Sequence, residues 1–223
     1  MSIIVPTGRL SIQYRSVPYW SNFFLRINTV GRKKTGLDQR ILKEADALFY
    51  RQGYVNTGIQ QIVQNAGTNK PGLYNYFEGK EGLARQYLER RNDQVLNEIM
   101  EAGNQADSVA DFFARWMHFT QDLARNPAEY NGCPVANFAL QTPAEETSMQ
   151  DFIHEMGQKW QTRLIAYIRK EMSAGKLERK HPAASLARRM LLAHQGAITM
   201  WKITGKLDYF DEAVQLFNNA LEN

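Results

Sequence analysis

The chain has 223 residues, a formal net charge of +4, one cysteine, 43% hydrophobic and 11% aromatic residues. That much apolar surface excludes a wholly disordered chain, and a single cysteine excludes an internal disulfide framework. No apolar run reaches the roughly 18 residues that a membrane-spanning helix requires.

Charge is unevenly placed, at +3 over residues 1–31, +4 over 32–85 and −3 over 86–223, so an anionic partner is expected at the N-terminal end. Residues 1–36 stand apart. "LSIQYRSV" alternates as a strand would, and "VGRKKTG" reads as a linker; together they are expected to form a loosely attached extension. Arg32, Lys33 and Lys34 there are either a solvated linker or an arm on an anion. The start lacks the apolar core of roughly 7–15 residues that marks a secretory signal, so the expected compartment is the cytoplasm.

From Leu37 onward the pattern is helical. Ile41, Leu42, Ala45, Leu48 and Phe49 form one stripe, closed by Gly53. Thr57 is placed to cap a short helix bearing Ile59, Ile62, Val63 and Ala66, which Gly67 ends. A third helix is predicted from about Lys70 to Phe77 and a longer one from about Lys80 to Ala102. Further helices are expected over 107–126, 134–141, 145–174, 182–204 and 208–222, separated at Pro127, Pro143, Gly175, Pro182 and Gly205. No strand alternation interrupts them. The expected fold is all-α, with a three-helix head over 37–83 and a larger bundle over 84–223.

The second and third short helices, joined by Gly67-Thr68-Asn69, have the form of a helix-turn-helix. Leu73 and Phe77 would anchor the second of them to Leu42, Leu48, Phe49, Ile59, Ile62 and Val63. Lys70, Pro71, Gly72, Tyr74 and Asn75 would then face outward. Asn69 can cap this helix, Pro71 is harmless in a first turn, and Gly72 permits close backbone approach. Lys70 can donate to a guanine edge or a phosphate, Tyr74, Asn75 and Tyr76 offer phosphate contacts, and Lys80 opens the next helix, whose N-terminus favours an anion.

Residues 40–83, "RILKEADALFYRQGYVNTGIQQIVQNAGTNKPGLYNYFEGKEGL", resemble the DNA-binding domain of the TetR family of bacterial transcriptional repressors. Its Ile-Leu pair, Ala, Leu-Phe, Gly-Tyr, Thr, Ile, Ala-Gly, Leu-Tyr-x-Tyr-Phe and Lys-Glu-x-Leu recur in order. The resemblance implies that Thr57 to Gln60 open the helix crossing the DNA backbone. It implies further that Lys70, Pro71, Gly72 and Tyr74 face bases, with Asn75, Tyr76 and Lys80 on phosphates. Two departures stand out. Gly58 replaces a usual Ser or Thr, and Gly72 a usual Thr, Ser or Ala.

The resemblance also implies a C-terminal bundle that binds a small effector and a homodimer made through the last two helices, on a palindromic operator. Leu192, Ile198, Trp201, Val214 and Phe217 are the interface candidates, although a monomer could bury the same residues internally. Pocket candidates are Phe112, Trp116, Phe119 and Phe138, the i, i+4, i+8 series Phe152, Met156 and Trp160, and Gln195. Such a stripe is more often plain core than the lining of a pocket. His194 lies mid-helix among apolar residues, while His118 and His154 read as surface positions. Cys133, at a helix start before Pro134, is either a sensor thiol or a small packed residue. No HExxH or CxxC spacing, nucleophile elbow or GxxxxGK[ST] loop is present, so neither a metal, a cofactor nor an enzyme is expected. A DNA-binding protein that responds to no effector, acting in chromosome organisation, is the remaining alternative.

Overall fold

A computed structural model describes residues 36–222, and the reading of the N-terminal extension and its basic arm lies outside them. Nine helices run through the described residues: α1 (Leu37–Gln52), α2 (Ile59–Asn65), α3 (Lys70–Tyr74), α4 (Gly79–Asn104), α5 (Val109–Ala124), α6 (Pro134–Gln141), α7 (Thr147–Ser173), α8 (Ala183–Thr204) and α9 (Asp208–Glu222). No strand occurs among them.

The stripes foreseen in the sequence build two buried clusters. In the first, Ile41, Leu42, Ala45 and Phe49 of α1 meet Ile62 and Val63 of α2, Leu73 of α3, and Leu83, Ala84, Tyr87 and Leu88 of α4. Phe138 of α6 and Met149, Phe152, Ile153 and Met156 of α7 complete it. In the second, Leu96 and Ile99 of α4 pack with Phe112, Phe113, Trp116 and Met117 of α5, and with residues of α7, α8 and α9. One helix, α4, therefore runs through both.

Local chemistry sets the breaks. Gly67, at φ 63°, closes α2 with paired backbone bonds, in which the Thr68 amide donates to the Val63 carbonyl and the Gly67 amide to that of Gln64. Ser108 caps α5, its hydroxyl oxygen accepting from the Asp111 amide at 3.1 Å. The expected recognition helix over 70–77 ends sooner, at Tyr74. The Tyr76 and Phe77 amides both donate to the Leu73 carbonyl, which tightens the chain into a turn before α4.

Thr57 does not cap α2. It is buried, and its hydroxyl donates to the Gly53 carbonyl at 2.7 Å, fastening the α1–α2 loop; the cap position falls to Gly58, which has no side chain to accept from the helix. Gly53 itself takes φ 82° and ψ 176°, and a Cβ there would stand 1.9 Å from Gln141 Oε1. That oxygen accepts from the Tyr54 amide at 3.0 Å, so the end of α6 is tied to the loop that feeds the helix-turn-helix.

Candidate nucleic-acid interface and ligand cavity

The outer surface of the helix-turn-helix gathers most of the predicted residues. Gln60, Asn69, Lys70, Pro71, Tyr74 and Asn75 are exposed, and Gly72, Tyr76 and Lys80 are half-buried. Asn69 caps α3 as expected, its side-chain oxygen accepting from the Gly72 amide at 2.9 Å. Leu73 and Phe77 hold the helix down from beneath. Burying a leucine completely contributes about 2 kcal/mol, which sustains five residues that could not stay helical alone.

Gly72 has a role of its own inside the turn. A Cβ there would lie 2.5 Å from the Thr68 hydroxyl and 3.2 Å from Asn69 Oδ1, so the missing side chain makes room for the cap. Lys80 points back over the α1–α2 loop: its Nζ donates to the Val55 carbonyl at 3.4 Å and lies 4.3 Å from the centre of the Tyr54 ring. Burial lowers its pKa.

Below this surface, residues of α1, α4, α5, α7 and α8 and the segment entering α6 line a cavity of about 200 Å³. Trp116, Phe119 and Trp160, all expected as pocket residues, line it, together with Cys133 and His194. The Trp116 and Trp160 rings stack 5.7 Å apart at 11°, and His194 lies 4.4 Å from Trp116. Gln195 lines a second, more open cavity, which shares Cys133, Val135, Trp160 and His194 with the first. His154 borders that second cavity, whereas His118 is exposed and 3.7 Å from Asp211.

Four pocket candidates are placed elsewhere. Phe112 packs on Tyr167 within the second buried cluster, with ring centroids 4.5 Å apart. Phe138 lies among Phe49, Tyr54 and Tyr87, and Phe152 and Met156 belong to the same first cluster. The i, i+4, i+8 series along α7 thus spans two environments, because a helix of that length passes from one buried cluster into the other.

Sequence reasoning missed the polar half of the cavity: Tyr50, Arg91, Asn92, Thr120 and Tyr130. Arg91 and Asn92 are 7% and 2% exposed. The Arg91 guanidinium carbon lies 5.0 Å from the Tyr50 ring centre. The Trp160 indole N–H donates to Asn92 Oδ1. A signal for both residues was present, since they fall on the stripe that runs from Tyr87 and Leu88 to Leu96 and Ile99, where polar side chains are out of place.

Three of the five interface candidates are core of this chain. Ile198, Trp201 and Phe217 are buried in the second cluster, with Trp201 facing Tyr130 and Phe210, because the α8–α9 hairpin folds back on α5 and α7. Val214 packs against the same cluster and Leu192 is 73% exposed. The outward apolar residues of the hairpin are Leu192, Met200, Ile203 and Leu216.

A small helical head with an exposed recognition helix, carried on a larger helical body, is the build of a helix-turn-helix DNA-binding protein. Comparison with known proteins makes that specific. Residues 41–87 match the family model described as bacterial regulatory proteins, tetR family, and residues 106–217 match the tetracyclin repressor-like C-terminal domain. The chain belongs to the TetR family of transcriptional regulators, proteins that act on DNA and are not enzymes.

The regulator LmrA of Bacillus subtilis (strain 168) is 26% identical over 123 residues, covering 55% of this chain and 65% of the relative. The transcriptional repressor DhaR of Mycobacterium sp. (strain GP1) is 21% identical over 188 residues, covering 84% and 93%. Among solved structures, a TetR-family regulator from Cytophaga hutchinsonii superposes with a TM-score of 0.73 at 17% identity, covering 87% of this chain and 97% of that one. That likeness is one of fold. Among the described residues no helix is long and apolar enough to cross a membrane.

Proposed function

We propose that the chain is a cytoplasmic, ligand-responsive repressor that binds a palindromic operator as a homodimer and is released by a small molecule. The carrying observation is the double duty of α4. It starts at the end of the recognition turn, and Arg91, Asn92, Val95 and Ile99 on it line the cavity, the first of them about 18 Å along the axis from Gly79. A ligand that shifts this helix changes how two recognition helices fit successive major grooves, and operator affinity falls by the ligand's differential affinity for the two states.

On the DNA, Lys70, Pro71, Gly72 and Tyr74 read bases in the major groove, while Gly58, Gln60, Asn75, Tyr76 and Lys80 lie along phosphates. Thr57 is withdrawn from that set in its present rotamer by its bond to Gly53. The second copy docks on the outward residues of α8 and α9, Leu192, Met200, Ile203 and Leu216, in a four-helix contact.

A second wire supports the same coupling. The Asn131 amide donates to the Tyr50 hydroxyl oxygen and its side-chain amide to the Tyr50 carbonyl, both at 2.8 Å. Lys202 Nζ of α8 donates to the Asn131 carbonyl at 2.9 Å. Asn131 therefore ties the end of α1 to α8, immediately before the Gly132–Val135 stretch of the cavity wall.

The test begins with selection of bound fragments from genomic DNA, followed by sedimentation of the protein and titration of the selected site. The expected result is a two-half-site consensus bound by a dimer. The Leu192→Glu, Leu216→Glu double variant is expected to be monomeric and to lose the site. A wild-type monomer, or fragments with no common sequence, would favour an effector-independent chromosome-organising protein. Cys133, half-buried in the walls of both cavities, carries a narrower reading as a sensor of electrophiles. Retained release of the Cys133→Ser variant by an electrophile would remove it.

A further inference from the structure

Two uncharged side chains in the cavity wall keep a polar atom without a partner, and the two atoms are of opposite kind. Both residues sit beside the tryptophan pair. An indole N–H only donates, so Asn92 must turn Oδ1 toward Trp160, and Nδ2 is left as a buried donor with no hydrogen-bond partner.

His194, against the other tryptophan, supplies the acceptor. The Thr120 hydroxyl spends its only proton on the Trp116 carbonyl, at 2.9 Å, so in its 3.4 Å contact with His194 Nε2 the hydroxyl oxygen accepts. Nε2 then carries the proton. Burial holds this imidazole neutral, with a pKa of about 3, and Nδ1 is left as a lone pair without a partner on a side chain that is 6% exposed.

The charged residues of the lining are engaged within the chain. Arg91 lies over the Tyr50 ring, Asp122 accepts from Arg125 at 3.2 Å, and Glu129 has an interaction of its own. What the wall holds open is thus a neutral amide donor and a neutral imidazole acceptor, and a ligand that pairs with both relieves the cost of leaving them unmade. The tryptophan stack and Ile99 give flat apolar walls, and at about 200 Å³ the cavity is larger than the roughly 150 Å³ that a benzene molecule fills in an engineered core. That volume suits one ring with substituents, or two fused rings.

We infer that the cavity binds an uncharged, flat aromatic molecule of one or two rings that carries a carbonyl oxygen and a hydroxyl group. The carbonyl accepts from Asn92 Nδ2, the hydroxyl donates to His194 Nδ1, and the rings pack on Trp116 and Trp160. This rests on the ligand-gated reading above only for its consequence at the operator, since binding is measured without DNA.

The probes are 3- and 4-hydroxyacetophenone, acetophenone, phenol, ethylbenzene and 4-hydroxybenzoate, titrated against the full chain by calorimetry and by quenching of tryptophan fluorescence. The better of the two hydroxyketones is expected to bind at least about tenfold tighter than acetophenone or phenol, with ethylbenzene and 4-hydroxybenzoate weaker still. Asn92→Asp keeps an oxygen for Trp160 and turns the free donor into an acceptor. It should weaken acetophenone at least about tenfold and leave phenol within about threefold. His194→Phe keeps a flat ring and removes the acceptor, so it should erase the advantage of the hydroxyketone and leave acetophenone within about threefold. Ethylbenzene or 4-hydroxybenzoate binding as tightly as the hydroxyketones, equal losses of acetophenone and phenol in Asn92→Asp, or no binding of any probe, would overturn the inference. The expected affinity order with undisturbed operator binding would sink the gating reading and leave the ligand class standing.

Discussion

Gly53 and Gly58 flank the same short loop, yet their positions make opposite demands. Gly53 has a positive φ and the Gln141 side chain directly against it, while Gly58 is extended, at φ −98°, with nothing within 4 Å of a Cβ. Gly53→Ala is therefore expected to cost at least about 2 kcal/mol in urea unfolding, and Gly58→Ala less than about 1 kcal/mol. At the recognition surface, Asn69→Ala removes the cap of α3 and should cost about 1 kcal/mol. Lys70→Ala should leave the melting temperature unchanged and relax selection at one base position in each half-site. An unaltered consensus from random DNA would refute base reading by Lys70. The capping asparagine could be read from the sequence, since Asn before Lys-Pro has few other uses. The job of Gly72 inside its own turn could not, because the crowding comes from the fold of Thr68 back over the helix start.

Between elements, one joint is the ion pair of Asp46 on α1 with Arg90 on α4, whose side chains are 4% and 27% exposed. The carboxylate is buried and the guanidinium partly exposed, so Asp46→Ala is expected to cost about 2 kcal/mol, and Asp46→Leu with Arg90→Met to recover part of it. A double-mutant cycle by chemical denaturation measures both. Helix existence and order were legible from periodicity throughout, and most boundaries fell within two residues. What periodicity withheld was the covering of each apolar face. Ile198, Trp201 and Phe217 sit at correct core positions, but a stripe does not say whether its partner is another helix of the same chain or of a second one. Arg91 and Asn92 failed differently. They were visible as polar interruptions of a buried stripe, but only the surrounding walls turn such an interruption into a binding group.

At the scale of the molecule, His194 ties stability to pH. Its folded pKa of about 3 lies below the ordinary value of 6.5, so between those values the unfolded chain holds the extra proton. Stability from this group is complete above about pH 6.5 and falls by about 1.4 kcal/mol per unit as pH drops toward 3. Thermal melts of a His194→Gln variant should show a shallower acid limb than the parent, and matching slopes would refute that role. The first buried cluster has its own consequence. Phe138, Met149, Phe152, Ile153 and Met156 share one buried cluster with the apolar residues of α1, α2 and α3, and Phe138 packs on Phe49 and Tyr54, so the interior of the head extends onto a floor of sequence that lies more than fifty residues downstream. Recombination between two such regulators at the residue 83 boundary would give each head a foreign floor. Grafts that also carry residues 131–156 from the same parent should express as folded hybrids, whereas those swapped at residue 83 alone should aggregate. Inheritance of a DNA address therefore travels with a piece of the sensor.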